Sequence, residues 1–418
     1  MRIGILSQWF DPEPGPARLP GALAHSLAER GHEVRVLTGF PNYPDGVVQD
    51  GYPIAWRRDE IDRDLVIRRV ALYPSHDASA VRRTANYASF GVSAAVVGAS
   101  VFKGLDAVWV SNSPVTVGLP AWRIARAMRL PVLLHVLDLW PDNIVSSEVV
   151  TSRRATALLL SSVHRWNRWM YRTASHVSAI SPGIARILES RGVSAGKLSY
   201  VPLWADEQTF RPSSDDGFRA TMATPPDRVT VLYAGTLGRA QAIDRLVDAC
   251  NRYPRHEPSI DVWIAGSGVE EEELRRRAEQ SRAPNVRVRF LGRVPTAEMR
   301  SVMSAADIHF IGLRDDANST VTLPSKLQAT MASAKPILLS VAGDARAIVD
   351  EAGAGFTAEP GSSDALTRAL VQAARSGRPR LCEMGHASRT AYDRDFSLAA
   401  GTTRIERILD GLTSGAPA

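Results

Sequence analysis

The chain has 418 residues, of which 44% are hydrophobic, and its 50 Lys+Arg against 44 Asp+Glu give a net charge of +6. This length exceeds what one hydrophobic core usually supports, so we expect about two domains. The charge suits an acidic substrate or an anionic membrane face, and it is too small to indicate a nucleic-acid-binding protein. Cys250 and Cys382 lack metal-type spacing, so neither a disulfide framework nor a zinc site is expected.

Apolar runs of strand length alternate with helix-period segments in the first half of the chain. Strands are predicted at residues 2–7, 33–38, 107–110, 132–136, 177–180 and 198–201. Such alternation predicts βα units around a parallel sheet. The first strand begins at once, without the basic region, apolar core and cleavage site of an export signal, so we expect a cytoplasmic protein.

One uncharged stretch, residues 84–102, follows Arg82 and Arg83 and approaches the length of a membrane span. Ala, Gly and Ser dominate it, and these residues insert weakly into lipid. We expect a buried or interface helix, with a helix lying on a membrane surface and a membrane span as the alternatives. The segment VHRWNRWMYR (163–172) predicts an amphipathic helix with Trp packed inward and Arg solvated, and it also suits membrane-surface contact.

The second half repeats the alternation of strands and helices. Strands are predicted near residues 229–234, 261–265, 286–291, 308–311 and 337–340. A segment rich in Pro, Ser, Asp and Gly separates the two halves of the chain and predicts a linker near 203–215. The sequence therefore predicts two α/β domains with doubly wound parallel sheets, 1–205 and 206–395, and a final helix in 396–418 that packs back on the first domain.

The segment VLYAGTLGRAQAIDRL (231–246) carries the clearest chemical signal. An apolar strand leads into a Gly-rich turn and then a helix, and Arg239 lies inside the turn. Backbone N–H groups and the helix dipole at such a junction suit an anion, and an arginine can fork onto phosphate oxygens. A second pair, Gly266 and Gly268, follows the next strand. We predict a diphosphate cradle in the second domain, with this second pair allowing close chain approach near the nucleotide base.

Ten short motifs share their order along the chain with one enzyme family. They are EPGPARL (13–19), GHEVRVLT (31–38), FPNYPDG (40–46), SPVTVGL (113–119), DLWPDNIV (138–145), AISPGI (179–184), AGTLGRAQ (234–241), IAGSGVE (264–270), FLGRV (290–294) and PSKLQATMASAKP (324–336). Together they resemble the GT4 family of retaining glycosyltransferases with the GT-B fold, in which two Rossmann-like domains face each other across a cleft. The resemblance covers nearly the whole chain and extends to the bacterial branch of exopolysaccharide, capsule and O-antigen assembly, the colanic-acid type.

The resemblance implies a retaining transfer of a hexosyl or N-acetylhexosaminyl group. The donor would be a nucleotide-diphosphate sugar of the UDP or GDP type, and the acceptor a hydroxyl of a glycan or lipid-linked glycan precursor. Neither a metal ion nor another cofactor is required, because positive groups of the protein stabilise the departing diphosphate. Contact with the inner face of the cell membrane is a further expectation, and nucleic acid is not an expected partner.

Candidate catalytic residues are Asp138, Arg239 and Lys326. Asp138 is expected at the carboxyl end of a buried strand, where it accepts hydrogen bonds from sugar hydroxyls or caps a helix. Lys326 adds a mobile positive charge at a helix start, and a solvated lysine is the alternative. His135, inside the strand, is expected to be a packed core histidine.

Glycine turns and a helix start supply the expected donor contacts. These donor-site residues are Gly235, Thr236, Gly238, Gln241, Gly266, Gly268, Pro324 and Ser325. On the acceptor side, Gly15 allows close backbone approach or forms an ordinary tight turn, Arg18 opens the next helix, and Trp140 forms a pocket wall.

Several positions depart from the GT4 pattern. Val321 and Ala329 stand where two glutamates are usual, and Gln241 stands where lysine is common. A non-catalytic sugar-nucleotide-binding protein therefore remains the main alternative, and a GT-B sugar-nucleotide epimerase a further one. A nicotinamide dehydrogenase is rejected, because GILSQWFDPEPG lacks the G-x-G-x-x-G turn after the first strand.

Overall fold

The computed structural model describes residues 1–76, 79–140, 153–214, 217–280, 283–316 and 319–415. The chain divides into two compact units, of which unit 1 comprises Met1–Pro202 and Leu398–Ala418 and unit 2 comprises Leu203–Ser397. Each unit is a doubly wound α/β domain. Residues 141–145 of the DLWPDNIV motif lie outside the described residues.

Strands and helices alternate through both units. The strands are β1 (Arg2–Leu6), β2 (Glu33–Gly39), β3 (Arg57–Asp62), β4 (Leu65–Val70), β5 (Ala107–Ser111), β6 (Val132–Val136), β7 (His176–Ala179), β8 (Leu198–Tyr200), β9 (Val229–Ala234), β10 (Ile260–Ala265), β11 (Val286–Gly292), β12 (Ile308–Gly312), β13 (Ile337–Ser340) and β14 (Gly355–Thr357). The helices are α1 (Leu19–Glu29), α2 (Ala80–Ser93), α3 (Gly118–Ala127), α4 (Arg153–Thr173), α5 (Pro182–Ser190), α6 (Phe218–Thr221), α7 (Ile243–Asn251), α8 (Glu271–Glu279), α9 (Thr296–Ala305), α10 (Ser325–Ala332), α11 (Asp344–Ala352), α12 (Ser363–Ala391) and α13 (Leu398–Ser414).

The sheet of unit 1 has the strand order β3-β4-β2-β1-β5-β6-β7-β8. Its inner strands β5 and β6 are buried along their whole length, as expected for parallel strands covered on both faces. The predicted doubly wound parallel sheet is confirmed, and it carries one additional antiparallel pair at its edge, where β3 pairs with β4. The apolar-run criterion missed this hairpin because charged residues fill β3.

Helix α2 continues through a π turn (Ala94–Gly98) and a 3-10 turn (Ala99–Phe102). By length and composition, Val81–Phe102 passes as a candidate membrane span, and half of its most apolar window is buried inside the protein. At Gly98 the turn packs so closely that an added Cβ would lie 2.5 Å from a methyl group of Leu37 in β2. This packing is that of a layer on the sheet of unit 1, in agreement with the expected buried or interface helix.

The C-terminal helix α13 packs on α1 within unit 1. Two residues that follow α1 fix it in place. The Arg30 guanidinium donates to Glu406 Oε2 at 2.7 Å, and His32 Nε2 lies 2.6 Å from Glu406 Oε1. The last segment of the chain thus completes the first domain.

The sheet of unit 2 has the strand order β11-β10-β9-β12-β13-β14, and all of its strand pairs are parallel. One buried cluster joins it to α7, α8 and α12, with Leu246, Leu274 and Leu370 among its members. Further clusters join it to α9, α10 and α11. Helices cover both faces, which is why these strands are nearly continuous apolar runs.

Residues 203–214, which we predicted as a linker, instead begin unit 2 with several fixed contacts. The Ala205 N–H donates to the Tyr392 hydroxyl at 3.1 Å, and that hydroxyl donates to Glu207 Oε1 at 2.8 Å. Trp204 is buried, and Phe210 packs against the core. The polar composition of this segment therefore marks where the chain enters unit 2, but the segment is not an extended spacer.

Candidate functional site

In unit 2 the Gly-rich turn lies at the topological switch point of the sheet. Strand β9 pairs with β10 on one side and with β12 on the other, so the direction of strand addition reverses there. The turn follows β9, and the Arg314 N–H, after β12, donates to the Ala240 carbonyl at 3.0 Å. Open α/β sheets bind ligands at this place, outside the carboxyl ends of the strands.

Two glycine turns pack directly against each other at this edge of the sheet. The Gly235 N–H donates to the Ala265 carbonyl at 2.9 Å, and the Leu237 N–H donates to the Ser267 carbonyl at 3.0 Å. A Cβ added to Gly266 would lie 1.8 Å from the Gly235 carbonyl oxygen, and one added to Gly268 would lie 2.3 Å from the Leu237 oxygen. Gly266 and Gly268 therefore permit one backbone to approach the other, and their contact with a nucleotide base stays a prediction.

Lys326 is fixed beside the first glycine turn. Helix α10 begins at Ser325 with Pro324 as its N-cap residue, so Lys326 lies in its first turn. The Lys326 ammonium donates to Gln241 Oε1 at 3.0 Å and lies 5.3 Å from the centre of the Tyr233 ring. Burial lowers the pKa of Lys326. The amide and the aromatic ring thus give the Lys326 charge two defined partners, and the expected mobility of its side chain stays a prediction.

Several groups of the turn remain open to a ligand. Thr236 and Ser325 are exposed, and a Cβ added to Gly238 would meet only a Thr236 methyl, at 3.9 Å. The 3-10 turn Arg239–Gln241 precedes α7, and Arg239 is exposed. This segment therefore has two positively charged residues, the exposed Arg239 in the turn and Lys326 beside it.

Arg314 contacts both the first glycine turn and the helix that follows it. This residue was not predicted from the sequence. Its Nε donates to the Arg239 carbonyl at 2.7 Å, and its Nη2 lies 3.3 Å from Asp244 Oδ2 and 3.9 Å from Glu270 Oε1. Asp244 lies in the first turn of α7. A carboxylate so near the turn would repel a diphosphate, and Arg314 offsets that charge. The only hint in the sequence is an arginine just after the β12 run.

The positions of the missing glutamates hold apolar side chains. Ala329 is buried in α10, and Val321 is half-buried before that helix. Donor hydroxyls therefore find no carboxylate at these two positions. Within the described ranges, no three His, Cys, Asp or Glu side chains are grouped as metal ligands.

In unit 1 the corresponding switch point lies at β1 and β5, and Asp138 is near it. Asp138 follows β6, and the Ser113 hydroxyl, after β5, donates to Asp138 Oδ2 at 2.8 Å. Asn112 fixes this turn, because its Oδ1 accepts from the Leu137 N–H at 2.8 Å. The carboxylate is thus oriented at the carboxyl ends of two inner strands, where we expected it.

The other acceptor-side candidates are more dispersed. The Trp140 carbonyl accepts from Asn167 Nδ2 at 2.6 Å, and its ring is half-buried. Gly15 has φ +65° and begins a 3-10 turn that ends at Arg18. Arg18 Nε lies 3.8 Å from Asp11 Oδ1. The positive φ of Gly15 explains the glycine as a turn residue without need of a ligand.

An aromatic cluster after β1 was not predicted from the sequence. The Trp9 ring lies 6.3 Å from the Tyr43 ring and 6.2 Å from the Tyr87 ring, and Tyr43 lies 4.9 Å from His76. These four side chains are half-buried. They come from separate segments of the chain, so the cluster exists only in the fold, although a Trp shortly after the first strand is a usable signal.

Glu13 holds the loops that carry this cluster. Its carboxylate accepts from the Phe10, Asn42 and Tyr43 N–H groups at 3.1, 2.8 and 2.9 Å. Burial raises the pKa of Glu13, partly offset by these hydrogen bonds. The first residue of EPGPARL therefore has a structural role that ties the β1 and β2 loops together.

His135 is a core residue, in agreement with the expectation. It is buried in β6, and its Nε2 lies 2.9 Å from the Val201 carbonyl oxygen. Burial lowers the pKa of His135 to about 4, so the ring is neutral at pH 7. A role in proton transfer is not indicated.

Known proteins match both units. Residues 15–204 match the family described as Glycosyl transferase 4-like domain, and residues 228–376 match Glycosyl transferases group 1. The putative colanic acid biosynthesis glycosyl transferase WcaI of Escherichia coli (strain K12) is 26% identical over 339 residues, which span 78% of this chain and 80% of that protein.

Solved structures show the same architecture. Sucrose-phosphate synthase from Thermosynechococcus elongatus has a TM-score of 0.69 at 19% identity, covering 99% of this chain and 100% of that chain. HepE of Anabaena, solved in complex with UDP and glucose, has a TM-score of 0.65 at 16% identity, covering 98% and 100%. The two family matches, together with the glycine turns at the switch point, show that the chain belongs to the GT4-type glycosyltransferases with the GT-B fold.

Proposed function

We propose that this glycosyltransferase moves a hexosyl or N-acetylhexosaminyl group from a UDP-sugar to an acceptor hydroxyl, with retention of configuration. The observation that carries the proposal is the Lys326 ammonium in the first turn of α10, held beside the glycine turn that follows β9. A diphosphate is proposed to bind here because a lysine ammonium lies beside a glycine turn at the switch point of the sheet. The UDP complex of HepE favours uridine over guanosine as the base.

The proposed chemistry is electrostatic. Breaking the glycosidic bond leaves an oxocarbenium-like sugar and puts negative charge on the departing diphosphate, which Lys326, Arg239 and the N–H groups stabilise. Attack from the departing side, with the leaving phosphate as base, needs no pair of protein carboxylates. In this proposal the protein supplies the positive charge without a metal ion.

The acceptor is proposed to bind unit 1 as a glycan or lipid-linked glycan precursor of cell-surface polysaccharide. Asp138 is oriented by Ser113 to accept hydrogen bonds from sugar hydroxyls. Trp9, Tyr43 and Tyr87 offer aromatic faces that pack on the apolar faces of sugar rings. The name of the E. coli relative, which assigns it to colanic acid biosynthesis, supports this class of product. With such an acceptor, the proposed location of the enzyme is the cytoplasm, at the inner face of the membrane.

Donor binding is tested first, by thermal shift of the purified protein with EDTA present. A UDP-sugar at about 100 times its Kd stabilises the native state by about 2.7 kcal/mol, which raises Tm by about 5–10 °C for a domain of this size. GDP-, dTDP- and ADP-sugars serve as the matched controls and are expected to give smaller shifts. The proposal of a metal-independent UDP-sugar donor fails if none of the UDP-sugars shifts Tm, or if a shift appears only when a divalent metal replaces EDTA.

Arg239→Ala is expected to lower kcat/KM for transfer about 10- to 100-fold, because an exposed guanidinium beside the turn stabilises charge on the diphosphate. Tm without ligand stays unchanged, since the side chain is exposed. Arg252→Ala is the control, because this arginine is also exposed and pairs with Asp364 at 2.9 Å. If both variants turned over substrate at the same rate, Arg239 would have no role in the transfer.

A donor-binding protein without turnover is the second candidate function, favoured by Val321 and Ala329 at the positions of the usual glutamates. The two functions differ in a single assay. Incubation of a UDP-sugar that shifts Tm with acceptor glycolipid extracts gives a new glycoside with the donor's anomeric configuration if the protein is a retaining transferase. A shift in Tm with neither transfer nor donor hydrolysis supports the second candidate.

A further inference from the structure

Three neighbouring helices of unit 1 share an unusual charge composition. Helix α2 with its continuation to Phe102, α3 and α4 together contain nine arginines and no aspartate or glutamate. Helix α3 contacts both α2 and α4. Because the net charge of the whole chain is +6, the rest of the chain is net negative. The net positive charge of the chain therefore comes from these three helices.

An apolar stripe runs along the exposed side of α2 and its continuation. Val81, Val92 and Val96 are 80%, 53% and 64% exposed. Ala85 and Ala88 are exposed between them, and the spacing of four, three, four and four residues places all five on one face of the helix. The opposite side, with Phe90, Ala94 and Gly98, is buried. The helix is thus apolar on both sides, although the protein covers only one of them.

Helix α3, which contacts α2, and its other neighbour α4 also expose tryptophan and arginine side chains. Trp122 is 41% exposed, and its ring lies 6.2 Å from that of Trp169. Arg123 and Arg126 on α3, and Arg165 on α4, are exposed. Trp is enriched at the headgroup level of membranes, and arginines beside an apolar helix face are attracted to anionic lipid.

We propose that this surface, formed by the apolar stripe of α2, Trp122 and the exposed arginines of α3 and α4, docks unit 1 on a bilayer that contains anionic lipids. Helix α2 lies in the plane of the interface with its valines in the acyl boundary. The helix does not cross the bilayer, because crossing would remove the buried side chains of Phe90 and Ala94 from the core of unit 1. The inference rests on the proposed function in one respect, namely that a lipid-linked acceptor is presented at such a bilayer.

Charge complementarity favours an anionic lipid bilayer over a second copy of this chain as the partner of the surface. A self-complementary dimer through this surface would place arginine-rich helices against each other, with no acidic side chain from α2, α3 or α4 to pair with them. An anionic headgroup layer supplies the negative charge that these arginines lack in the fold of the three helices.

Vesicle flotation of the full-length protein tests the proposal. We expect flotation with vesicles of phosphatidylglycerol and phosphatidylcholine, at least fivefold less with phosphatidylcholine alone, and a decrease as salt rises. Val92→Glu/Val96→Glu loses flotation, as does Arg123→Glu/Arg126→Glu. Ile61→Glu, at a 78% exposed position of β3 outside the surface, floats as the wild type does.

In each variant, Tm reports folding and the shift in Tm with a UDP-sugar reports donor binding. Both are expected to match the wild type, because the substituted residues are exposed and belong to unit 1. Flotation with no donor shift would refute the proposed function and leave the docking surface intact. The docking surface would be overturned by equal flotation with neutral and anionic vesicles. It would also be overturned if the valine variant and the arginine variant both floated as the wild type does. A third contrary result would be a concentration-dependent dimer, seen by light scattering, that Val92→Glu/Val96→Glu dissociates.

Discussion

Replacing Lys326 with methionine is expected to lower kcat/KM for sugar transfer about 100- to 1000-fold while both units remain folded. The ammonium is held beside the glycine turn by Gln241, at 3.0 Å, and by the Tyr233 ring, at 5.3 Å. A charge already in place needs no reorganisation when the diphosphate departs. Transfer rates measured over a series of UDP-sugar concentrations below KM, together with urea unfolding, would measure the two effects separately.

Lys335 is the matched control for this substitution. It also lies in unit 2, but its ammonium donates to the Ser304 and Ala306 carbonyls at 2.6 and 2.7 Å, within the fold. Lys335→Met is therefore expected to lower stability by about 1–3 kcal/mol, by leaving these carbonyls unpaired, and to leave kcat of the folded protein unchanged. If Lys326→Met behaved like Lys335→Met, the role of Lys326 would be structural.

The pH profile offers a readout that a structural lysine would not give. Burial lowers the pKa of Lys326 below that of an ordinary lysine, so the free enzyme loses this positive charge at a lower pH. Since the charged form stabilises the transition state, kcat/KM of the wild type falls on the alkaline side as Lys326 deprotonates. This fall is expected to be absent from the residual activity of Lys326→Met.

The sequence predicted the sheet of unit 2 well because its strands are covered on both faces. Strands β9, β12 and β13 are continuous buried runs, and their predicted limits differ from the observed ones by a residue at most. The hairpin β3–β4 was missed for the opposite reason. Arg69 in β4 is buried and carries a charge, and its partner Glu60, at 2.6 Å, lies in β3, so neither strand has the expected apolar pattern. Only the pairing makes these charges tolerable.

In the candidate site, too, the residues whose roles depend on distant contacts could not be predicted from the sequence. Glycines and a lysine at a helix start follow a local pattern, so Gly235, Gly266 and Lys326 were identified before the fold was known. Arg314 was not, because its role depends on contacts with Arg239 and Asp244, which lie about 70 residues away along the chain. The contacts of Lys326 with an amide and an aromatic ring were not predicted for a related reason, since these two groups come from other elements.

Gly266→Ala is expected to abolish the UDP-sugar shift and to lower the free energy of unfolding of unit 2 by roughly 2–5 kcal/mol. Gly266 has φ +142°, a conformation that L side chains rarely adopt, and its new methyl would lie 1.8 Å from the Gly235 carbonyl oxygen. The two glycine turns must then separate. That movement breaks the hydrogen bond from the Leu237 N–H to the Ser267 carbonyl, and it shifts the first turn away from Lys326.

Gly238→Ala is the matched control, because the same methyl is added three residues after Gly235 where space is open. Gly238 has φ −122°, which any residue adopts, and the nearest atom to its new Cβ is 3.9 Å away. Its free energy of unfolding in urea should equal that of the wild type. Any loss of UDP-sugar affinity in Gly238→Ala then measures how closely the diphosphate approaches the turn, whereas equal stability of the two variants would mean that the turns do not depend on their glycine contact.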